Sequence, residues 1–275
     1  MREKLISKAD IKSLHPVFRK SYGDRLAEFV IRLAGLYKAN DAYDSSKYMT
    51  GPDVENRMID FLGITRKAHQ QEVIDQFEGK PFITVSNHPY GHIDGIILIG
   101  TMAEKRPDFK IMVNWMLGRI DTMADHFIGV NPFQAGTVDR SSLGGVKECI
   151  QHLKEGRSLG FFPAGAISKN RITRIEDRDW QTSVLKLIKK AGVPIVPVYI
   201  SGNNSRFFNF LDLIDWRLRT LRLCHELTNK KGKTIHLVFG TPILPEEQKN
   251  YTDITAFGKF LKERTYELKE SEWLQ

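Results

Sequence analysis

Short apolar runs alternate with amphipathic stretches along the chain after residue 80. The runs are rich in β-branched and aromatic residues and are bounded by Pro, Gly or Asn, which is typical of strands. They are continuously apolar rather than alternating, which favours strands that are covered on both faces. This pattern predicts strands over residues 81–87, 109–114, 158–163, 193–201 and 234–240.

Helical spacing of the apolar positions appears between these runs. It predicts helices over residues 143–155, 180–191 and 252–269, and a glycine directly follows the first two. Glycine at that position is a common helix stop signal. Because strands and helices alternate along the chain, the sequence predicts an α/β fold with a mostly parallel sheet flanked by helices.

The first 80 residues have a different pattern. Apolar positions at helical spacing predict helices over residues 24–38, 53–62 and 67–77. We therefore expect an N-terminal helical segment, residues 1–80, which packs on an α/β domain of residues 81–275 and has no core of its own.

Composition and charge narrow the class of protein. Hydrophobic residues make up 41% of the chain and charged residues 27%, which is ordinary for a folded domain. The net charge of +8 favours anionic partners such as phospholipid or a phosphorylated substrate. Lys and Arg are scattered and no nucleic-acid recognition signature appears, so we expect no nucleic-acid partner.

The cysteine pattern and the hydropathy of the chain indicate the cellular compartment. Cys149 and Cys224 do not form a C-x-x-C pair, which fits a reducing compartment. The first residues lack the apolar centre of a signal peptide, and no apolar run approaches the roughly 18 residues of a spanning helix. The sequence predicts a cytoplasmic protein that associates peripherally with the inner face of the cell membrane.

The first strand leads directly into chemically reactive residues. Residues 81–87 are followed by His88 and, six positions later, by Asp94. Ligands of open α/β sheets bind outside the carboxyl ends of the strands. An imidazole there could take the proton of a hydroxyl, while a carboxylate on its other nitrogen fixes the tautomer. No G-x-S-x-G elbow supplies a serine nucleophile, which favours direct attack by an acceptor hydroxyl.

Two other interpretations of this loop remain open on the residues alone. Asp94 could simply cap the helix that follows it. Alternatively, His88, His92 and Asp94 could bind a metal ion in a metal-dependent hydrolase, although Pro89 and Gly91 disfavour a regular helix through both histidines.

A second strand ends in a turn that is followed by basic residues. Phe162-Pro163-Ala164-Gly165 leads into Ser168, Lys169, Arg171 and Arg174. Such a segment suits an anionic head group or the phosphate of an acyl carrier. A turn with solvated basic side chains explains the same pattern.

Together these segments resemble the glycerolipid acyltransferases, which include the 1-acylglycerol-3-phosphate acyltransferases. That family carries N-H-x4-D at a strand end, then an Arg-containing block, F-P-E-G and a V-P-I-x-P-V strand. The corresponding segments here are NHPYGHID (87–94), VDR (138–140), FPAG (162–165) and VPIVPV (193–198). The resemblance extends from residue 81 to about residue 243.

Two departures from the family pattern point to one branch of it. Five residues separate His88 from Asp94, and Ala164 replaces the glutamate of F-P-E-G. Both features, together with residues 218–242, resemble the haemolysin-like branch. Its members are associated with acylation of lyso-lipids, including lyso forms of ornithine and glycine lipids. The missing glutamate weighs against a glycerol-phosphate acceptor.

The resemblance implies roles for individual residues. His88 would be the general base and Asp94 its orienting partner, with no covalent intermediate. No cofactor is implied, since a thioester of acyl carrier protein or coenzyme A serves as co-substrate. Substrate contacts are expected from Asn87, Gly91, Arg140, Phe162, Pro163, Gly165, Ser168 and Lys169.

One stretch suggests contact with a membrane lipid surface. Residues 206–227 combine Phe207, Phe208, Phe210 and Trp216 with Arg206, Arg217, Arg219 and Arg222. Aromatic and basic residues on one amphipathic stretch suit the interface of an anionic bilayer. An ordinary helix that covers the sheet is the competing interpretation. Residues 24–38 are a second candidate for lipid contact.

Overall fold

A seven-stranded sheet forms the centre of the protein. The computed structural model describes residues 3–49, 51–114, 117, 120–130, 140–170 and 174–274. Its strands are β1 Thr65–His69, β2 Ile83–Ser86, β3 Lys110–Asn114, β4 Phe127–Val130, β5 Leu159–Phe161, β6 Lys169–Asn170, β7 Ile175–Glu176, β8 Ile195–Ile200 and β9 Thr234–Phe239. The short strands β6 and β7 form a separate antiparallel pair.

The order of strands in the sheet is β1-β9-β8-β2-β5-β3-β4. All neighbouring pairs are parallel except β8 and β9, which are antiparallel. The mostly parallel sheet and the five predicted strands are therefore confirmed. The strands β1 and β4 were not predicted.

Helices cover both faces of this sheet. They are α1 Lys8–Leu14, α2 Gly23–Leu33, α3 Leu36–Ser46, α4 Pro52–Leu62, α5 His92–Met102, α6 Arg140–Lys154, α7 Thr182–Ala191, α8 Arg206–Ile214, α9 Trp216–Thr228, α10 Pro245–Gln248 and α11 Ile254–Glu267. On one face α3, α4 and α5 share an apolar core with the strands. On the other face α6, α7 and α11 form a second apolar core. This arrangement explains why the strands are continuously apolar.

The N-terminal predictions need two corrections. The helix predicted over residues 24–38 is two helices, because Gly35 adopts a left-handed φ of 67° between α2 and α3. The prediction of a helix over residues 67–77 is wrong. That segment contributes to β1, which pairs with β9, and continues as a 3₁₀ helix, Gln71–Phe77. Gln70, with a φ of 59°, separates the two.

The segment before residue 80 therefore supplies an edge strand of the main sheet. Its residues Ala42, Val54 and Met58 belong to the same apolar cluster as Phe82 and Ile97. The domain boundary at residue 80 stays a prediction.

The predicted amphipathic stretch 206–227 forms a hairpin of two helices, α8 and α9. Asp215 lies between them in an extended conformation with φ −158°. Each helix is short, and none of the helices in the described part of the chain is long and apolar enough to cross a bilayer.

Candidate active site

The strand β2 and the helix α5 bring the two predicted catalytic residues together. β2 ends at Ser86 and carries His88 to the carboxyl edge of the sheet, and α5 places Asp94 in its first turn. Nδ1 of His88 lies 2.9 Å from Oδ2 of Asp94. The Asp94 side chain is fully buried, whereas 18% of the His88 side chain is exposed. The loop thus presents an imidazole to the solvent and hides its carboxylate.

Backbone groups fix the position of the Asp94 carboxylate. Its Oδ2 accepts the N–H of Tyr90 at 2.9 Å and the N–H of Gly91 at 2.8 Å. The capping interpretation is therefore confirmed, since the oxygen that faces His88 caps α5. The Nδ1–H bond of His88 is not well aligned with this oxygen for a hydrogen bond. Catalytic hydrogen bonds are often loose without substrate and tighten when it binds.

Burial dominates the electrostatics of Asp94. Desolvation raises the pKa of this carboxyl, and the contacts from His88, Tyr90 and Gly91 oppose the rise only in part. A carboxylate in such surroundings interacts strongly with a cation that forms beside it. It is therefore placed to stabilise an imidazolium at His88.

Glycine is required at position 91. Gly91 has φ 89° and ψ −116°, a conformation that side-chain-bearing residues rarely adopt. A Cβ there would lie 2.8 Å from Cδ1 of Ile167. The loop consequently passes directly beneath the segment that follows β5.

The Phe162 ring defines one face of the imidazole. The two ring centroids are 4.5 Å apart, at an interplanar angle of 31°. Because Nδ1 faces Asp94 and one ring face lies on Phe162, Nε2 is the nitrogen left for a substrate proton.

The rest of the segment after β5 is tied to the His88 loop. Ser168 donates its N–H to the His88 carbonyl oxygen at 2.8 Å. Pro163 is buried, Gly165 is exposed with φ 59°, and Lys169 Nζ lies 3.8 Å from Oδ1 of Asp212. The structure thus gathers Phe162, Ser168 and their neighbours around His88. Their contacts with substrate stay predictions.

Asn87 and Arg140 were also predicted to contact substrate. The amide of Asn87 is buried and pairs with the backbone of Ile200, donating to its oxygen at 2.9 Å and accepting its N–H at 2.7 Å. This geometry favours an anchoring role, and its substrate contact stays a prediction. Arg140 begins α6, but its side chain lies outside the described atoms, as do Val138, Asp139 and Arg171.

The metal-site interpretation lacks a ligand set in the structure. His92 is an exposed residue at the start of α5, whereas Asp94 is fully buried. Across the ranges that the structure describes, no group of three His, Cys, Asp or Glu side chains is placed to bind a metal ion.

Sequence reasoning missed a buried carboxylate beside His88. Asp177, directly after β7, accepts the His88 N–H at 3.2 Å and the Ser168 hydroxyl at 2.6 Å. Trp180 Nε1 donates to its other oxygen at 3.2 Å. The local sequence contains Glu176, Asp177 and Asp179 in four positions. Nothing in that pattern shows which of the three is buried.

The hairpin of α8 and α9 packs against the segment that follows β5. The sequence did not predict this contact either. Arg219 donates from Nη2 to the Ser168 carbonyl oxygen at 2.6 Å, and its Nη1 lies 3.0 Å from Asp212. Near the other end of α9, Glu226 accepts a hydrogen bond from Nζ of buried Lys230 at 2.7 Å. The contact of Arg219 with Ser168 fixes the hairpin against the segment that follows β5.

An imidazole at the carboxyl edge of an α/β sheet, with one ring nitrogen beside a buried carboxylate, is an arrangement suited to an enzyme that moves protons. A family model described as Acyltransferase matches residues 54–273 of the chain. The chain therefore belongs to this acyltransferase family, and it is an enzyme that transfers acyl groups.

Individual proteins are also similar to this chain. A lyso-glycine lipid O-acyltransferase of Bacteroides thetaiotaomicron is 28% identical over 236 residues, which cover 82% of this chain and 83% of the relative. A protein of the same name from Phocaeicola vulgatus is 28% identical over 193 residues, 67% of each chain. The crystal structure of the 1-acyl-sn-glycerophosphate acyltransferase PlsC from Thermotoga maritima aligns with a TM-score of 0.49 and 16% identity, covering 96% of this chain and 99% of that one.

Proposed function

We propose that this enzyme transfers a fatty acyl group from a thioester of acyl carrier protein or coenzyme A to the hydroxyl of a lyso-lipid, with His88 as general base. The observation that carries the proposal is the His88–Asp94 pair at the edge of the sheet, in which Nδ1 of His88 lies 2.9 Å from the carboxylate, so that Nε2 is the nitrogen turned away from Asp94. The reaction would serve the synthesis of membrane lipid.

The geometry supports a direct transfer between the two substrates. Nε2 of His88 removes the hydroxyl proton of the acceptor as its oxygen attacks the thioester carbonyl. The new C–O bond forms, the tetrahedral intermediate collapses, and the C–S bond breaks. The imidazolium, stabilised by Asp94, returns the proton to the departing thiolate. The products are an ester and a free thiol, and no acyl group is attached to the enzyme.

An amino-acid lipid in its lyso form is the proposed acceptor. Both relatives named above are lyso-glycine lipid O-acyltransferases. Ala164 occupies the position of the family glutamate and is fully buried, and Arg178 Nε donates to its carbonyl oxygen at 2.7 Å. The turn 162–165 therefore lacks the glutamate side chain that the family resemblance associates with a glycerol-phosphate acceptor, which supports a different head group.

A lipid acceptor requires contact with a membrane surface, and the hairpin of α8 and α9 offers a suitable one. We define the apolar hairpin surface as the exposed side chains of Phe207, Phe210, Leu213, Ile214 and Leu218. Arg206 is exposed at its edge, where it could contact anionic head groups. Phe208 and Arg219, which the sequence also suggested for lipid contact, are buried, so they lie outside this surface. The side chains of Trp216 and Arg217 are outside the described atoms.

The second lipid-binding candidate lies next to this surface. His225 of α9 contacts the Leu33 carbonyl oxygen of α2 at 3.1 Å. Phe29 and Leu33 of α2 are exposed, which extends the apolar area. We propose that these helices rest on the inner face of the cell membrane.

Substitution of the two histidines of the loop tests the proposed chemistry. We expect His88→Ala to lower kcat about 10²–10⁴-fold, because general base catalysis is lost. His92→Ala is the matched control, because His92 is an exposed histidine four positions from His88. The activity of this variant should stay within about twofold of wild type, which is much less than the loss expected when a catalytic proton transfer is removed. The assay would offer acyl carrier protein and coenzyme A thioesters with lyso-glycine lipid, lyso-ornithine lipid and lysophosphatidic acid.

Each part of the proposal can fail separately in this assay. A His88→Ala rate within tenfold of wild type would refute the general base. Equal losses in both variants, together with stoichiometric zinc, would favour the hydrolase interpretation. Preferred transfer to lysophosphatidic acid would leave the mechanism intact and overturn the acceptor class.

A further inference from the structure

Asp177 is a second buried carboxylate next to His88, and it contacts the backbone rather than the ring. Its two oxygens accept three hydrogen bonds, from the His88 N–H, the Ser168 hydroxyl and the Trp180 indole. The residue is fully buried. A charged side chain is rarely buried unless its interactions are specific, so this network calls for an explanation.

The main chain of Asp177 is held as firmly as its side chain. Its N–H donates to the Tyr266 hydroxyl at 2.8 Å, and its carbonyl oxygen accepts from Lys262 Nζ at 2.8 Å. Both partners belong to α11, which packs on the opposite face of the sheet from α5. Asp177 therefore connects the loop of His88 to a rigid helix that the acyltransferase motifs do not include.

The contacts favour the ionised form of this carboxyl group. The partners that the structure shows for its side chain are hydrogen-bond donors, and a proton on the carboxyl would face one of them. Burial raises the pKa of Asp177, while the hydrogen bonds from Ser168 and Trp180 and the charge of His88 oppose the rise. Within the described residues, Asp94, Asp177 and His92 are the titratable groups that interact electrostatically with His88.

We propose that Asp177 is a positioning residue for acyl transfer: it holds the His88 backbone while Asp94 holds the ring, and its negative charge stabilises the imidazolium formed during the reaction. This inference rests on the proposed role of His88 as general base. It assigns a function to a residue that lies outside the segments on which the family resemblance depends.

The test uses Asp177→Asn, Trp180→Phe and the double variant. In Asp177→Asn the amide oxygen can still accept from His88 and Ser168, but the amide nitrogen would face the Trp180 N–H, so two donors would meet. Trp180→Phe removes that conflict. Comparing the double variant with Trp180→Phe therefore measures the effect of losing the charge, because the hydrogen bonds from His88 and Ser168 are retained in both.

We expect the double variant to lose about 10- to 100-fold in kcat relative to Trp180→Phe, the range typical of supporting residues, with KM within about twofold. Its thermal midpoint should match that of Trp180→Phe. The acid limb of the pH profile of kcat/KM, and the pH at which the His88 ring signals titrate by NMR, should both move to lower pH because a neighbouring anion is gone.

The NMR measurement separates this inference from the proposed function. An unshifted His88 titration in the double variant would overturn the inference, whatever the rate. A shifted titration in an enzyme whose His88→Ala variant stays active would instead refute the role of His88. A merely structural Asp177 would change the thermal midpoint and leave the titration where it is.

Discussion

The carboxyl edge of the sheet buries charged side chains, whereas the α8–α9 hairpin exposes large apolar ones. At the sheet edge, Asp94 and Asp177 are fully buried. On the hairpin, 62% of Leu213 and 59% of Ile214 are exposed to solvent. Burying a charge and exposing a large apolar side chain are both unfavourable for a folded protein in water. Each region therefore departs from what stability alone favours.

The two departures indicate different tasks. Buried carboxylates act on an imidazole, where a low dielectric strengthens their effect. Exposed apolar side chains act on something apolar outside the protein. We therefore expect substitutions at the sheet edge to change kcat, and substitutions on the hairpin to change how firmly the enzyme holds a lipid surface.

The largest expected effect comes from Asp94. In Asp94→Asn the amide oxygen should take the place of Oδ2, because the N–H groups of Tyr90 and Gly91 both point there. The orientation of His88 is then kept and only the charge is lost, so we expect kcat to fall about 10²–10³-fold, as for the loss of one electrostatic contact to a transition state. Asp94→Ala should fall further, to about 10⁴-fold, because orientation is lost as well.

Steady-state rates with a lyso-lipid acceptor measure this difference. Asp60→Asn on α4 is the control, since Asp60 is exposed. If the two Asp94 variants had equally low rates, the carboxylate would act through its charge alone. A normal rate for Asp94→Asn would remove its charge from the mechanism.

The second prediction concerns the hairpin. Leu213→Ser combined with Ile214→Ser should weaken binding to vesicles that contain anionic phospholipid by about tenfold or more, since full burial of such a side chain contributes about 1.5–3 kcal/mol. The rate with a short-chain acceptor dispersed in detergent should not change. Cosedimentation with vesicles and the detergent assay together measure both quantities.

Leu244→Ser is the matched control, because Leu244 is similarly exposed but belongs to neither helix of the hairpin. Unchanged vesicle binding in the double variant would show that this surface does not contact lipid. If the wild type were a dimer in solution and the variant a monomer, the surface would bind a second copy of the chain instead.

The same two regions show what the sequence could and could not predict. The strand before His88 is a local feature, and its prediction was confirmed. The spacing of His88 and Asp94 is also local, and the structure places Nδ1 of His88 2.9 Å from Oδ2 of Asp94, while the catalytic role of the pair stays a prediction. The strand β1 was mistaken for a helix because its stability comes from pairing with β9, about 170 residues later. The four-residue strand β4 is too short for periodicity to detect, and it depends on its neighbour β3.

Asp177 and the hairpin were missed for the same physical reason. Asp177 is distinguished from Glu176 and Asp179 only by its burial beneath His88, which is 89 positions earlier in the chain. The hairpin looked like one amphipathic stretch, and its turn at Asp215 became evident only from the backbone. Local patterns identify the reactive residues, whereas tertiary contacts decide which polar residues support them.

The smallest expected effect is a difference in how stability depends on pH. Burial raises the pKa of Asp94 above its ordinary value of 3.8. A carboxyl with a raised folded-state pKa binds its proton more tightly when folded, so its contribution to stability is complete below about pH 3.8 and is lost as the pH rises through the raised pKa. Relative to Asp94→Asn, the wild type should therefore lose free energy of unfolding as the pH increases from about 4 toward neutrality.

The exposed Asp24, in α2 beside the hairpin, should behave in the opposite way. A hydrogen bond from Lys12 lowers the pKa of Asp24 below 3.8, so its contribution is complete above that pH and is lost as the pH falls through the lowered pKa. Urea unfolding of wild type, Asp94→Asn and Asp24→Asn between pH 3 and 7 would compare the two, with a much smaller change for Asp24 because water screens its contact with Lys12. The comparison requires the carboxylate of Asp94, unlike that of Asp24, to be unfavourable in the folded protein at neutral pH. If the contributions of Asp94 and Asp24 to the free energy of unfolding changed with pH in the same direction, that requirement would not be met.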